Sequence, residues 1–157
     1  MEMIVRHFRD LTAAELYAVL KARVEIFVVE QKCAYPEIDG RDENAYHVLL
    51  MDQGRLAAYC RVLDRGVSFP EVSIGRVLSV RRGQGLGEQV LQAGICTAVA
   101  QYHADRIRIE AQSYAVGFYE RQGFIQVSDE FLEDGIPHVQ MLWQQQKTES
   151  AARRESL

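Results

Sequence analysis

Val77-Leu78-Ser79-Val80-Arg81-Arg82-Gly83-Gln84-Gly85-Leu86-Gly87 joins an apolar strand to a basic, glycine-rich turn and then to a helix. Leu78 and Val80 alternate with Val77 and Ser79 as a part-buried strand would, and the run stops at Arg81 and Arg82. Three glycines at every second position then free the backbone of Cβ atoms, so its N–H groups can approach a ligand closely and take φ > 0. From Leu86 the apolar positions take helical spacing through Val90, Leu91, Ile95, Ala98, Val99 and Tyr102, ending near His103. The turn thus lies at a helix N-terminus, where free amides and the helix dipole favour an anion. With Arg81 and Arg82 beside it, the pattern reads as a phosphate cradle.

Spacing narrows the ligand. A P-loop needs a lysine and a hydroxyl residue after its glycines, and none follows here. A dinucleotide fingerprint counted from Gly83 and Gly85 puts its third glycine on Glu88, a carboxylate facing a pyrophosphate. Neither pattern is met.

At 157 residues, 48% hydrophobic and 25% charged, the chain suits one soluble domain able to bury a core unaided. No apolar run approaches the roughly 20 residues that span a bilayer, so no membrane association is expected. Residues 1 to 9 carry Glu2, Arg6, His7 and Arg9, the wrong start for a secretory signal. Cys33, Cys60 and Cys96 are odd in number and widely spaced, as reduced thiols of a cytoplasmic protein would be. A net charge of −4 argues against a nucleic-acid partner.

Taken in order, Met3 to Phe8 reads as a strand, and a helix capped by Asp10 or Thr12 follows, with an apolar stripe from Leu16 to Val28. Glu30 to Glu43 loses periodicity and sets five carboxylates against two basic groups, forming a long acidic loop. Tyr46–Met51 and Arg55–Leu63 form a hairpin around Asp52-Gln53-Gly54, and Glu71–Val80 is the fourth strand. Arg106–Ala111 alternates as a strand entered from a helix, making one parallel βαβ unit with the strand at Val77. Tyr114–Gln122 is a short helix closed by Gly123. Phe124–Val127 and Val139–Trp143 end the sheet, with an acidic turn from Asp129 to Gly135 between them. The expected class is α/β, a mostly antiparallel mixed sheet of six to seven strands in one domain over 1–143. A polar tail with no apolar periodicity is expected over 144–157.

Arg82-Gly83-Gln84-Gly85-Leu86-Gly87 resembles the Gln/Arg-x-x-Gly-x-Gly/Ala signature of the GCN5-related N-acetyltransferase (GNAT) family, and the order of elements over residues 3 to 143 is similar too. A second match, Ala115-Val116-Gly117-Phe118-Tyr119-Glu120-Arg121-Gln122-Gly123-Phe124, resembles that family's element after the fifth strand. Arg23 to Gln31, the Tyr35–Asp42 loop, His47 and Gly135-Ile136-Pro137-His138 look like its ElaA branch. The resemblance implies a GNAT acyl-CoA N-acyltransferase fold using acetyl-CoA as cosubstrate and an amine of a small molecule or peptide as acceptor. It implies that Leu78, Ser79, Val80, Arg81, Arg82, Gly83, Gln84, Gly85, Leu86 and Gly87 hold the cofactor, with Ser113 and Phe118 beside them. Where the family often has asparagine, this chain has Gln112-Ser113.

Acetyl transfer from a thioester to an amine needs an unprotonated nucleophile, oxyanion stabilisation and a proton for the thiolate. Tyr119, at the position of the family tyrosine, is the candidate acid, and the backbone N–H of Val80 or a neighbour the candidate oxyanion donor. His47, Glu71, Glu110 and His138 are candidate bases, while Glu30, Asp39 and Asp42 are candidate partners for a cationic substrate. Arg76 sits among apolar residues and needs a partner, either a substrate carboxylate or Glu110. No His/Cys cluster has metal spacing and no Gly-x-Ser-x-Gly elbow occurs, so neither a metal nor a serine nucleophile is expected. With no cysteine beside the motif, direct transfer in a ternary complex is preferred. A non-catalytic acyl-CoA sensor and an acidic-loop interaction module are the alternatives, and a homodimer is admitted.

Overall fold

A computed structural model describes residues 1–146. The first helix begins where the sequence offers a cap. Thr12 accepts the Glu15 amide while the Glu15 carboxylate takes the Thr12 amide, a reciprocal box that opens α1 (Ala13–Arg23). The expected stripe to Val28 does not continue as α-helix: Val24–Glu30 widens to a π-helical turn. There Gln31 and Cys33 donate five residues back to Ile26 and Val28. This rotates Val29 out to solvent and brings Phe27 inward.

Eight strands form one sheet, against the six to seven expected. They are β1 (Glu2–His7), β2 (Tyr46–Asp52), β3 (Arg55–Leu63), β4 (Val72–Ser79), β5 (Arg106–Gln112), β6 (Phe124–Gln126), β7 (Phe131–Glu133) and β8 (Ile136–Gln144). Their order is β1-β2-β3-β4-β5-β8-β6, with β7 on β8. The strand missed in the sequence is β7, inside the stretch read as an acidic turn. Asp134 and Gly135 both take positive φ, the primed turn that closes a tight hairpin between Glu133 and Ile136. Gln53 and Gly54 do the same between β2 and β3. The polar tail expected from residue 144 starts later, because Gln144 pairs with Arg106 and Gln145 donates to Asp105. Residues 147–157 of that tail lie outside the described residues.

β4 and β5 are the parallel pair, joined by α2 (Leu86–Tyr102) as the βαβ reading required. Their ladder holds only at Val72–Ile107 and Ser73–Arg108. Beyond that the strands part, and on its other side β4 carries a bulge: Arg61 pairs with Gly75 but Tyr59 with Leu78, so Cys60 faces both Arg76 and Val77.

Strand alternation divides the chemistry between the faces. One face sends Val48, Leu50, Ala58, Cys60, Val62, Ile107, Ile109 and Met141 into the main core under Val90, Leu91 and Ile95 of α2. Gly94 permits this contact, since a Cβ there would lie 2.8 Å from the buried Cys60 sulfur. Gly94→Ala gains about 1 kcal/mol of helix propensity and costs about 1–3 kcal/mol of overpacking. The expected net is a loss of about 1 kcal/mol, read as a lowered urea midpoint. The other face carries Leu49, Tyr59 and Leu78 against Val19 and Ala22 of α1. That helix is too short to reach β5 and β8, where Arg108, Glu110, Gln112, His138 and Gln140 share the same face. A polar cleft is left uncovered there.

Candidate active site

The glycine turn has the form the sequence suggested. Gly83 and Gly85 take φ of +77° and +71°, where an L side chain is strained, and Gly85 is the residue on which α2 starts. Among the described residues no side chain accepts a hydrogen bond from an amide between Arg82 and Gly87. Leu78 and Leu86 are buried in the two cores, so only their main chains are open to a ligand. Arg81 is paired with Asp52, and Arg82 with Glu30 at the end of the π-helical turn. Glu30 therefore faces the turn through a groove of about 440 Å³ shared with Ser79, Val80 and Arg82.

Val80 does not serve as an oxyanion donor. Its N–H already donates to the Ala57 carbonyl at 2.8 Å, extending the β3–β4 ladder. Ser113 is engaged as well, its hydroxyl donating to Glu130 at 2.8 Å. Phe118, on α3 (Val116–Arg121), stands over the turn, 3.7 Å from where a Cβ on Gly87 would be.

Beside the parted strands lies a cleft of about 600 Å³. Its wall includes Arg76 and Val77 at the bulge, Glu110 and Gln112 of β5, Tyr119 of α3, Glu133 of β7 and His138 of β8. The Tyr119 ring packs edge-on against Phe118 and Phe124, with centroids 5.1 and 5.8 Å away. Desolvation by these neighbours pushes its phenol above the ordinary tyrosine value, so at neutral pH the proton stays on oxygen. Among the described residues its hydroxyl has no hydrogen-bond partner, although the ring is part of the cleft wall.

The acidic loop is not a solvated patch. It folds inward and supplies three carboxylates to three arginines that sequence patterning left without partners. Glu37 takes Arg23 and Arg76, each through Nε at 2.8 Å, and a hydrogen bond from the Tyr35 hydroxyl. Asp42 takes Arg23 at 2.6 Å and Arg61 at 3.0 Å. Asp39 chelates Arg61 at 2.8 and 2.9 Å and receives Arg76 at 3.4 Å. Arg76 thus pairs with Glu37 and Asp39 rather than with Glu110. Its own φ of +55° is stabilised by this anchorage.

Two of the candidate bases are excluded by their contacts. His47 is fully buried, and its Nε2 lies 2.9 Å from the Asp42 carbonyl, which can only accept. Its Nδ1 then accepts from the Tyr59 hydroxyl at 2.7 Å, and burial keeps the ring neutral. Glu71 is held by Arg108 in a bidentate pair at 3.0 Å, which lowers its carboxyl. His138 remains in the cleft. Its Nδ1 meets the Ile136 carbonyl at 2.7 Å and must carry the proton, leaving Nε2 as acceptor on the neutral ring. Glu110 also remains, and its neighbour is a second carboxylate, Glu133, rather than an arginine.

The ion network makes stability depend on acidity. Burial acts to raise the Asp39 carboxyl, but Arg61 outweighs it and holds the group down at about 2. A depressed carboxyl stabilises the fold fully above its unfolded value near ~4 and loses that contribution as pH falls toward 2. Unfolding in urea at pH 6 and pH 3 is expected to show a loss on the order of 1–2 kcal/mol from this group. Asp39→Asn is expected to lower stability at pH 6 and to flatten the slope.

Comparison with known proteins bears on this geometry. The sequence profile described as the acetyltransferase (GNAT) domain matches residues 12–145. The chain belongs to the GNAT family. This GNAT chain is 43% identical over 140 residues to a UPF0039 protein of Mycobacterium tuberculosis, covering 85% of itself and 87% of that relative. Its fold is similar to an acyl-CoA N-acyltransferase from Pseudomonas aeruginosa, at TM-score 0.85 and 39% identity over 91% of this chain and 99% of that one. It is equally similar to ElaA of Escherichia coli, at TM-score 0.85 and 34% identity with the same coverage. The chain is a transferase of that family, whose fold binds derivatives of coenzyme A. Among the described residues no helix is long and apolar enough to cross a membrane, and no group of three His, Cys, Asp or Glu is placed to hold a metal ion.

Proposed function

We propose that this chain transfers an acetyl group from acetyl-CoA to a primary amine of a small molecule or peptide, directly and in a ternary complex in the cytoplasm. The observation that carries the reading is the gap where β4 and β5 separate after Ser73 and Arg108, with the glycine turn at one end and the Tyr119 cleft at the other. The amides from Arg82 to Gly87 hold the pyrophosphate, with Arg81 and Arg82 exchanging Asp52 and Glu30 for phosphate oxygens. The main chain of Leu78, Ser79 and Val80 carries the pantetheine arm, and Phe118 and Ser113 flank it.

The thioester then lies beside the Arg76–Val77 bulge, and a bulge amide takes the oxyanion role that Val80 is too committed to fill. The amine attacks the carbonyl carbon, the C–S bond breaks, and the thiolate takes the Tyr119 proton. Burial of its ring raises the phenol, and an alkyl thiol leaving in the same surroundings is raised with it. Cys60 is no acyl carrier, because it is fully buried and burial pushes its thiol up. A thiol-release assay with acetyl-CoA against polyamines, amino acids, aminoglycosides and peptide N-termini tests the reading. Release that requires a free amine supports it, and none with any amine overturns it.

A further inference from the structure

Arg61 of β3 lines the cleft, is only 3% exposed, and leaves part of its guanidinium uncommitted. Nη1 donates to Asp39 at 2.8 Å and to Asp42 at 3.0 Å, and Nη2 donates to the second Asp39 oxygen at 2.9 Å. A carboxylate that bridges Nη1 and Nη2 uses the two N–H groups facing each other. The remaining donors, Nε–H and the outer Nη2–H, therefore lie along one edge, the edge a second carboxylate can take side-on. Nε is buried and has no partner among the described residues. A buried donor without an acceptor destabilises the protein, and a ligand oxygen relieves that cost.

The strand face beside Arg61 is open. Its cross-strand partner on β4 is Gly75, and Leu63 pairs in the same way with Ser73, so all four share the face that lines the cleft. A Cβ on Gly75 would meet nothing within 4 Å, and its φ is one that any residue adopts. A glycine of this kind inside a strand marks a place where a ligand comes close to the backbone. Charge agrees with shape. Arg41 donates to the Ser68 hydroxyl at 3.0 Å and, among the described residues, pairs with no carboxylate. With Arg23, Arg61 and Arg76 it sets four guanidiniums against the three carboxylates of Glu37, Asp39 and Asp42, a net positive charge on this side. The sheet order keeps Glu110 of β5 and Glu133 and Asp134 at β7 on the other side, so an anion is drawn toward β3 and β4.

We propose that the free edge of Arg61, with Arg41 and the Ser73 hydroxyl, receives a carboxylate of the acceptor, which is an amino acid: one small molecule brings the amine that is acetylated and the carboxylate that anchors it. This rests on the transferase reading above and names its substrate class. Nε is shielded from bulk water, so the guanidinium turns toward the cleft as the carboxylate enters. Gly75 directly precedes the Arg76–Val77 bulge where the thioester lies, so a carboxylate anchored beside Gly75 sets its own amine near the acyl carbon.

The test measures thiol release from acetyl-CoA by the full chain with α- and ω-amino acids, each beside its carboxamide, which keeps the shape and loses the charge. The best amino acid exceeds its carboxamide by at least ~10²-fold in kcat/KM. R41Q removes an exposed guanidinium held by Ser68, and G75A fills open space on a strand, so both keep the wild-type melt and CoA affinity. Each raises KM for the amino acid ~10-fold, more than it lowers kcat, and narrows the acid-to-amide ratio. R61K keeps a charge for Asp39 but lacks the second donor edge, and it narrows the ratio further. Calorimetry on the CoA-loaded chain reads the subsite without turnover: the amino acid binds more tightly than its carboxamide, and G75A weakens it. Carboxamides or simple alkyl amines used as well as the amino acids overturn the substrate class. A ratio unmoved in R41Q and G75A overturns the subsite. Absence of CoA binding, or of thiol release with every amine, overturns the transferase reading instead.

Discussion

Gly85→Asp is expected to weaken CoA binding by two to three orders of magnitude while leaving the chain folded. The two effects separate because they arise from different terms. A Cβ at Gly85 meets nothing within 4 Å, so the fold bears only the cost of a side chain at φ +71°, about 1 kcal/mol. A carboxylate facing a diphosphate across about 4 Å is repelled by a few kcal/mol at the effective dielectric of a protein surface. Gly85→Asn supplies the same shape without the charge, and it is expected to lose only about tenfold. Calorimetry with CoA reads the affinity, and a thermal melt reads the fold. Equal losses in Asp and Asn would assign the effect to backbone geometry rather than to an anion.

Tyr119→Phe is expected to lower kcat by ~10²–10⁴-fold with the KM for acetyl-CoA nearly unchanged. Its ring contacts with Phe118 and Phe124 survive the change, and its hydroxyl gives up no partner among the described residues. Stability should therefore hold or rise slightly. That contrast separates a proton donor from a packing aromatic: Tyr119→Phe with unchanged kcat and lowered stability would make the residue structural. Stopped thiol release under saturating amine gives kcat directly.

What the sequence disclosed follows the range of the interactions involved. The glycine turn, the cap at Thr12 and the hairpin at Gln53-Gly54 are local, set by residues a few positions apart, and each was legible. The Asp134-Gly135 turn was equally local. It passed as loop because Phe131–Glu133 is too short for a strand pattern to emerge.

The acidic loop is different in kind. Glu37 reaches Arg23 across 14 residues and Arg76 across 39, and Asp42 reaches Arg61 across 19. No periodicity encodes such pairings. The one available signal was the presence of Arg23, Arg61 and Arg76 at positions the surrounding pattern marks as buried, because buried guanidiniums need carboxylates. The same distance hid Glu133, which lines the cleft with Glu110 although β8 lies between their strands. The Val80 N–H belongs with these: the strand pattern includes Val80, but nothing local shows that the Ala57 carbonyl of β3 takes its N–H.

The central claim is that the main-chain amides from Arg82 to Gly87 bind the pyrophosphate of CoA. An amide-resolved NMR titration of the ¹⁵N-labelled chain tests it most directly, with CoA in one series and pantetheine, which lacks the phosphates, in the other. The amides of Gly83, Gln84, Gly85, Leu86 and Gly87 should shift strongly and saturably with CoA and stay near their free positions with pantetheine. Saturable CoA binding that leaves those five amides unmoved would contradict the claim.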